Sequence, residues 1–356
     1  MFRASTFIRL LSIGVLSISV VVVLFLMSED QVHRNNAFTR RFPHHPISKL
    51  YDLDLGYNSY YISGYVDNQL YLGNRTAPLH LLKIDLASQD TTHIKINLNK
   101  KNLPFRSAEI KIVSPYFFLL DGTVPAVFRG KIGMWEANLW DERDIYFSKA
   151  IPMDSTTLFV KSTSSRTFES ILGIVDLDKS SDILFKEDLL EKQIDGVFDV
   201  DGIMVVSDDD KFIGYVYYYR NEFMIMNNDL ELETRMRTID TVRTAQISLS
   251  TNIKKLKITM NAPPVYINKN AYMTNNLMLI HSDRIGKFEE KVMHNQAAII
   301  DIYDWTKSTY ELSFYVYNLN ESKLREFEVH DEYFVSLIGN SLSLYKLKPT
   351  HFKMRE

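Results

Sequence analysis

The feature that most constrains this chain is a rhythm. Short runs of branched and aromatic residues recur in groups of about four between Ser59 and Leu347, and turn-forming residues separate them. Such side chains fit a pleated, half-buried surface, whereas Asn, Asp and Gly tolerate the backbone of tight turns. The first group reads Ser59–Gly64, Gln69–Gly73, Leu79–Leu86 and Thr91–Leu98. A second comprises Tyr116–Leu120, Ala126–Arg129, Met134–Leu139 and Asp144–Ser148. A third comprises Thr157–Lys161, Glu169–Val175 and Ile183–Phe185. The fourth is Gly202–Ser207, Phe212–Tyr219, Glu222–Asn227 and Glu231–Arg237, with a hairpin turn expected at Arg220-Asn221. A fifth runs through Leu277–His281, Ala298–Tyr303, Tyr310–Tyr317 and Leu324–Val329.

Two strands at the end, Tyr333–Leu337 and Leu342–Leu347, lack partners, and so does one at the start, Leu50–Leu55. Pairing the early strand with the late ones closes a ring and removes exposed sheet edges. The predicted fold is therefore all-β: a β-propeller of about six four-stranded blades, closed by its N- and C-terminal strands and preceded by one transmembrane helix. The segment Thr241–Asn276, with Gln246–Leu249, Leu256–Met260 and Val265–Ile267, leaves room for a seventh blade or a long insertion. Helix is expected only at Asp188–Gln193 and Lys287–His294. A double β-sandwich is the rival architecture.

No charged residue falls between Leu10 and Met27, and at 1.5 Å per residue that run spans roughly 27 Å, near the ~30 Å hydrocarbon core. The exit, Phe25-Leu26-Met27-Ser28, has no small-residue cleavage pair, which favours an uncleaved signal-anchor. Arg3 and Arg9 precede the span and Arg34, Arg40 and Arg41 follow it, so the charge rule is nearly balanced. A short basic tail that stays inside, with the large domain periplasmic or extracytoplasmic, is the favoured orientation. The expected organisation is a tail at 1–9, a span at 10–27, a solvated polar tether at 28–47, the propeller at 48–348 and a tail at 349–356.

The chain has no Cys, which excludes disulfides, thiolate metal sites and a Cys nucleophile. Its net charge of −3, without a basic stripe, argues against nucleic acid as a partner. The expected partners are the lipid bilayer, through the helix, and an envelope protein or small ligand.

Three stretches carry a resemblance: Tyr65–Leu86 (YVDNQLYLGNRTAPLHLLKIDL), Asn261–Asp283 and the ending from Ile299 to Leu347. They resemble a family of membrane-anchored propeller-type proteins from Bacteroidetes-type bacteria. The resemblance implies a TolB-like six-bladed propeller in the cell envelope and implies no activity.

Motifs for chemistry are sparse. Nine His include no HExxH; His80 and His93 lie on neighbouring predicted strands. Asp199-Val200-Asp201-Gly202 is half of a calcium loop whose flanking positions, Val197 and Asp208, are wrong for ligands, so calcium is a weak expectation and no other cofactor is expected. No catalytic residue or metal site is singled out. The binding candidates lie in two loops rich in constrained polar residues: Asn74, Arg75 and Thr76 with nearby His80, and Asn261, Asn268 and Lys269. A non-enzymatic binding or scaffold module is the favoured reading. Its rivals are a channel-centred hydrolase or lyase, signalled by three or more Asp, Glu, Asn or His side chains converging on a polar axial cavity, and a polysaccharide sensor, signalled by an exposed aromatic platform.

Overall fold

The structure is a computed structural model that describes residues 2–33, 36–100, 103–141, 145–178, 183–252 and 257–352. Arg34, Asp144, Leu256 and residues 353–356, which enter the expectations above, lie outside the described residues.

The inner-to-outer strands of the first five blades follow chain order. The first blade is Tyr60–Val66, Gln69–Asn74, His80–Asp85 and Thr91–Lys95; the second is Glu109–Val113, Tyr116–Asp121, Ala126–Lys131 and Glu136–Asp141, extended by a parallel Asn97–Leu98. The third is Lys149–Pro152, Thr157–Thr163, Ser170–Asp176 and Ile183–Lys186; the fourth is Gly202–Val206, Phe212–Tyr217, Glu222–Asn227 and Leu232–Arg237. The fifth is Asn268–Met273, Leu277–Ser282, Ala297–Asp304 and Thr309–Tyr317. The sixth takes Leu324–His330, Tyr333–Ile338 and Ser341–Leu347 from the end of the chain and Ile47–Asp54 from its start. Ile47 pairs with Leu347 and Asp54 with Ser341, so the ring closes as the sequence predicts.

Each blade is a simple meander, so all six inner strands run in one direction. The connections between blades, and those between second and third strands, therefore share one face, called upper here. The turns joining first to second and third to fourth strands share the lower face. Inner strands of neighbouring blades touch all the way round. Six apolar clusters fill the six blade interfaces; one joins Leu279, Ile300 and Phe314 of the fifth blade to Phe327 and Phe334 of the sixth. Burying a side chain of this size contributes roughly 2–3 kcal/mol, so the interfaces hold the ring without disulfides. At Gly64, where φ is +147°, a Cβ would meet the carbonyl oxygen of Ile112 at 2.7 Å. Only glycine lets these two inner strands approach so closely.

Several boundaries differ from the sequence reading. The inner strands Glu109–Val113 and Lys149–Pro152 were not expected, and Ile145–Ser148 is part of a connection rather than a fourth strand. Leu324–His330 opens the sixth blade, and Asn268–Met273 is the fifth blade's inner strand. The insertion forms a two-stranded hairpin, Leu249–Asn252 with Lys257–Met260, rather than a seventh blade. Residues 188–193 form no helix, and the short helix is Lys291–Gln296.

The hairpin turn expected at Arg220-Asn221 is present, joining Phe212–Tyr217 to Glu222–Asn227, and it is buried. Arg220 is fully buried over the Tyr217 ring and donates to the Glu191 carbonyl at 2.8 Å, while Asn221 donates to the Asp240 carbonyl. The polar pair marks the turn as expected, and its side chains find partners in distant connections.

The N-terminal helix runs from Phe2 to His33, and its apolar stretch Phe7–Leu24 is exposed and long enough to cross a membrane, a property it shares with signal sequences. The following segment is docked rather than solvated. Asn36 donates to the Ile285 carbonyl at 2.8 Å, and the Phe38 carbonyl accepts from Lys287 N at 2.8 Å. The Arg40 side chain is fully buried in the fifth blade, where it donates to Asp301 (2.6 and 3.0 Å), Glu289 (2.8 and 2.9 Å) and Ser282 (2.8 Å). Burial opposes its charge, but the two carboxylates outweigh burial and raise its pKa. At the other end of the chain Phe352 is buried against Phe314, so the expected tail begins as part of the core.

Candidate functional site in the axial cavity

The six inner strands surround an axial cavity of about 1200 Å³. Strand alternation sends Ile110 and Ile112 into the blade interfaces while Glu109, Lys111 and Val113 line the cavity. The same alternation in the sixth blade buries Phe327 and Val329 and turns Glu326, Glu328 and His330 inward.

At the upper end the charges are matched. Arg75 pairs with Glu109 at 2.5 Å and lies over the Tyr61 ring. Lys149 donates to the Gly202 carbonyl and to the Tyr218 hydroxyl, both at 3.0 Å. Lys111 donates to the Ile62 carbonyl at 3.2 Å, and Ile62 N donates to Glu326 at 3.0 Å. Burial raises the Glu326 pKa, partly offset by Lys111.

The lower end is acidic and aromatic. The Tyr272 hydroxyl donates to Asp208 at 2.8 Å, and the Tyr65 hydroxyl donates to Asp331 at 3.0 Å. His330 Nε2 lies 2.9 Å from Glu328 Oε2. Its ring stacks on Tyr65 at 4.6 Å and meets Tyr272 edge-on at 5.9 Å. Among the described residues no lysine or arginine forms an ion pair with Asp208, Glu328 or Asp331. Asp208 is reached by solvent yet surrounded by the cavity wall; this enclosure pushes its pKa up to about 6, against the opposing pull of Tyr272 and His330. Asp210 is likewise pushed up to about 6, by burial and then by Asp154, Asp209 and Asp208. Carboxylates beside aromatic rings in a walled cavity suit an ammonium group, which gains charge-assisted hydrogen bonds and ring attraction together. The opening between low-dielectric walls concentrates the negative potential.

Of the binding candidates the sequence offered, only Arg75 lines this cavity. Asn74 is buried in a local turn, accepting from Thr76 N at 2.9 Å and Thr76 Oγ1 at 2.7 Å. Asn268 is buried and donates to the Tyr217 and Arg220 carbonyls at 2.7 and 3.1 Å. Lys269 pairs with Asp283 at 2.5 Å, and Asn261 is exposed beside the inserted hairpin. His80 and His93 do meet, at 2.9 Å, on the third and outer strands of the first blade, and burial followed by His93 lowers the His80 pKa. Among the described residues no three His or acidic side chains are grouped to hold a metal ion. The Asp199 carboxylate, half of the suspected calcium loop, accepts from the N–H groups of Gln193, Ile194, Asp195 and Gly196. Asp201 pairs with Lys161 at 2.6 Å.

Tyr272, Glu328 and His330 were missed by the loop-based reading, and Asp208 entered it only beside the suspected calcium loop, in the polar run Ser207–Asp210 that hairpin turns explain. A signal existed: EIKIV and LREFEVH set charged residues in alternation with apolar ones inside short strands. Trp135 and Trp140 form no platform; Trp135 packs on Tyr71 and Phe117, and Trp140 lies beside Phe118 under Arg129.

No protein-family model and no curated protein matches the chain. Solved structures do. A DUF4221-family protein from Bacteroides vulgatus aligns with TM-score 0.52 and 10% identity, covering 85% of this chain and 97% of its own. A catalytically inactive virginiamycin B lyase from Staphylococcus aureus with quinupristin aligns with TM-score 0.48 and 11% identity, covering 84% and 99%. A computationally designed protein aligns with TM-score 0.45 and 7% identity, covering 82% and 98%. At these identities the likeness is one of fold.

Proposed function

We propose that the chain is a membrane-anchored binding protein of the bacterial cell envelope, and that its propeller takes an elongated small molecule bearing a cationic amine into the axial cavity. One observation carries this reading. The lower end of a 1200 Å³ cavity gathers Asp208, Glu328 and Asp331 around the Tyr65 and Tyr272 rings. Lys111 and Lys149 line the upper half, so a ligand with an anionic far end is complementary too. Glu326 and His330 are four residues apart on one strand, roughly 13 Å at strand rise. The exposed apolar helix, the missing cleavage pair and the resemblance to Bacteroidetes-type, TolB-like anchored propellers support the envelope location. The short basic tail supports an N-terminus inside.

Spermidine is a suitable cationic probe and glutarate its anionic counterpart. Thermal unfolding of the full chain in detergent at pH 8 should shift upward with spermidine, because a ligand that binds only the folded state stabilises it. The D208N/E328Q variant should lose that shift. An equal or larger shift with glutarate contradicts the reading.

The converging Asp, Glu and His side chains also meet the criterion for a channel-centred enzyme. Tyr272 on Asp208 and His330 on Glu328 pair proton donors with carboxylates, as acid–base chemistry requires. Hydrolysis of p-nitrophenyl acetate that disappears in H330N but persists in R75A would favour this second reading.

A further inference from the structure

We infer that the upper face of the propeller rests on the surface of the bilayer that holds its helix, with the Phe288–Val292 loop at the lipid interface. The inference rests on the anchored reading above and adds an orientation to it.

The chain itself fixes the attachment point. Three residues after the helix ends at His33, Asn36 is bonded to Ile285 and Arg284, and Phe38 to Lys287. All three partners lie in the connection between the second and third strands of the fifth blade, which belongs to the upper face. Buried Arg40 locks the segment there. Nine helical residues past Leu24 and three of linker reach at most about 25 Å, so the upper face cannot swing far from the membrane.

That face also displays apolar side chains that the fold leaves uncovered. Phe288 is 79% exposed, Phe168 74% and Tyr57 67%, with Tyr146, Val292 and Tyr317 exposed as well. Each lies in an inter-blade connection, in a second-to-third-strand connection, or at the upper end of an outer strand. Counted the same way, the lower side exposes Met134 in a turn and Leu232 and Ile183 at the lower ends of outer strands, among the described residues. Lys287 and Lys291 flank Phe288 and Val292, Lys287 with its Nζ 5.4 Å from the Phe288 ring. Glu289 is turned inward to Arg40, which leaves Glu290 as the acidic neighbour. Aromatic tips beside lysines suit the headgroup region, where rings sit at the interface and amines meet lipid phosphates. The acidic lower end of the cavity then opens away from the membrane.

The absence of Cys makes the test direct. Single-cysteine variants F288C, V292C and M134C of the full chain would be labelled with an environment-sensitive nitrobenzoxadiazole dye. They would then be reconstituted into phosphatidylcholine–phosphatidylglycerol vesicles. The inference expects blue-shifted emission at F288C and V292C, quenched several-fold more by nitroxide lipids than at M134C. Water-like emission at all three positions, in protein that floats with the vesicles, overturns the orientation and leaves the anchor standing. Protein that fails to float overturns both.

Discussion

The two ends of the axial cavity are built by the same six strands and differ in how their charges are satisfied. At the upper end Arg75, Lys149 and Glu326 each have a protein partner from another strand or blade. At the lower end, among the described residues, Asp208, Glu328 and Asp331 have only hydroxyl or imidazole side-chain partners. The upper charges therefore tie strands and blades together, and the lower ones retain acceptor capacity for a ligand. Substitutions should separate stability from binding along this axis.

The largest effect is expected outside the cavity, at Arg40, which ties the leader segment to the fifth blade. R40M leaves Asp301 and Glu289 buried without their cation, which costs on the order of 3–5 kcal/mol; urea unfolding should record it, while spermidine affinity of the folded protein stays unchanged. At the lower end D208N/E328Q removes two charged acceptors, each worth about 1.5–3 kcal/mol to a bound ammonium, so spermidine affinity should fall by roughly 100-fold or more with little change in stability.

Protonation offers two milder probes. His281 is buried in the fifth blade, and burial, then Lys269, His294 and Lys323, lower its pKa to about 3. The folded value lies below the unfolded one, so this stabilisation is complete above about pH 6.5 and is lost as pH falls, by up to about 1.4 kcal/mol per pH unit. H281N should flatten that slope in unfolding curves measured between pH 7 and 5. Asp208 and Asp210 gain protons as pH falls through about 6, so spermidine binding should weaken below that pH, by at most about tenfold per unit for each group. The smallest effect is expected for R75A. It removes a half-exposed pair worth about 1 kcal/mol or less, and it should leave spermidine affinity untouched.

Closure of the ring was legible because Leu50–Leu55 and the two C-terminal strands each lacked partners, and the fourth blade because its apolar runs are long. The inner strands of the second and third blades were not legible. Lys149–Pro152 is short and ends in proline, and Glu109–Val113 turns the charged Glu109 and Lys111 to the cavity. The candidate site was almost wholly hidden, since Asp208, Tyr272 and Glu328 come from three blades and only ring closure brings them together. Arg40 was hidden for a related reason. It read as a basic residue in a solvated tether, yet its partners Glu289 and Asp301 lie far along the chain.

Isothermal titration of spermidine into the full chain at pH 8, beside D208N/E328Q and R75A, tests the division between the two ends most directly. Binding by the wild type and R75A alike, with a loss of at least an order of magnitude in D208N/E328Q, is the predicted result. Equal affinity in all three proteins, or a loss confined to R75A, would contradict it.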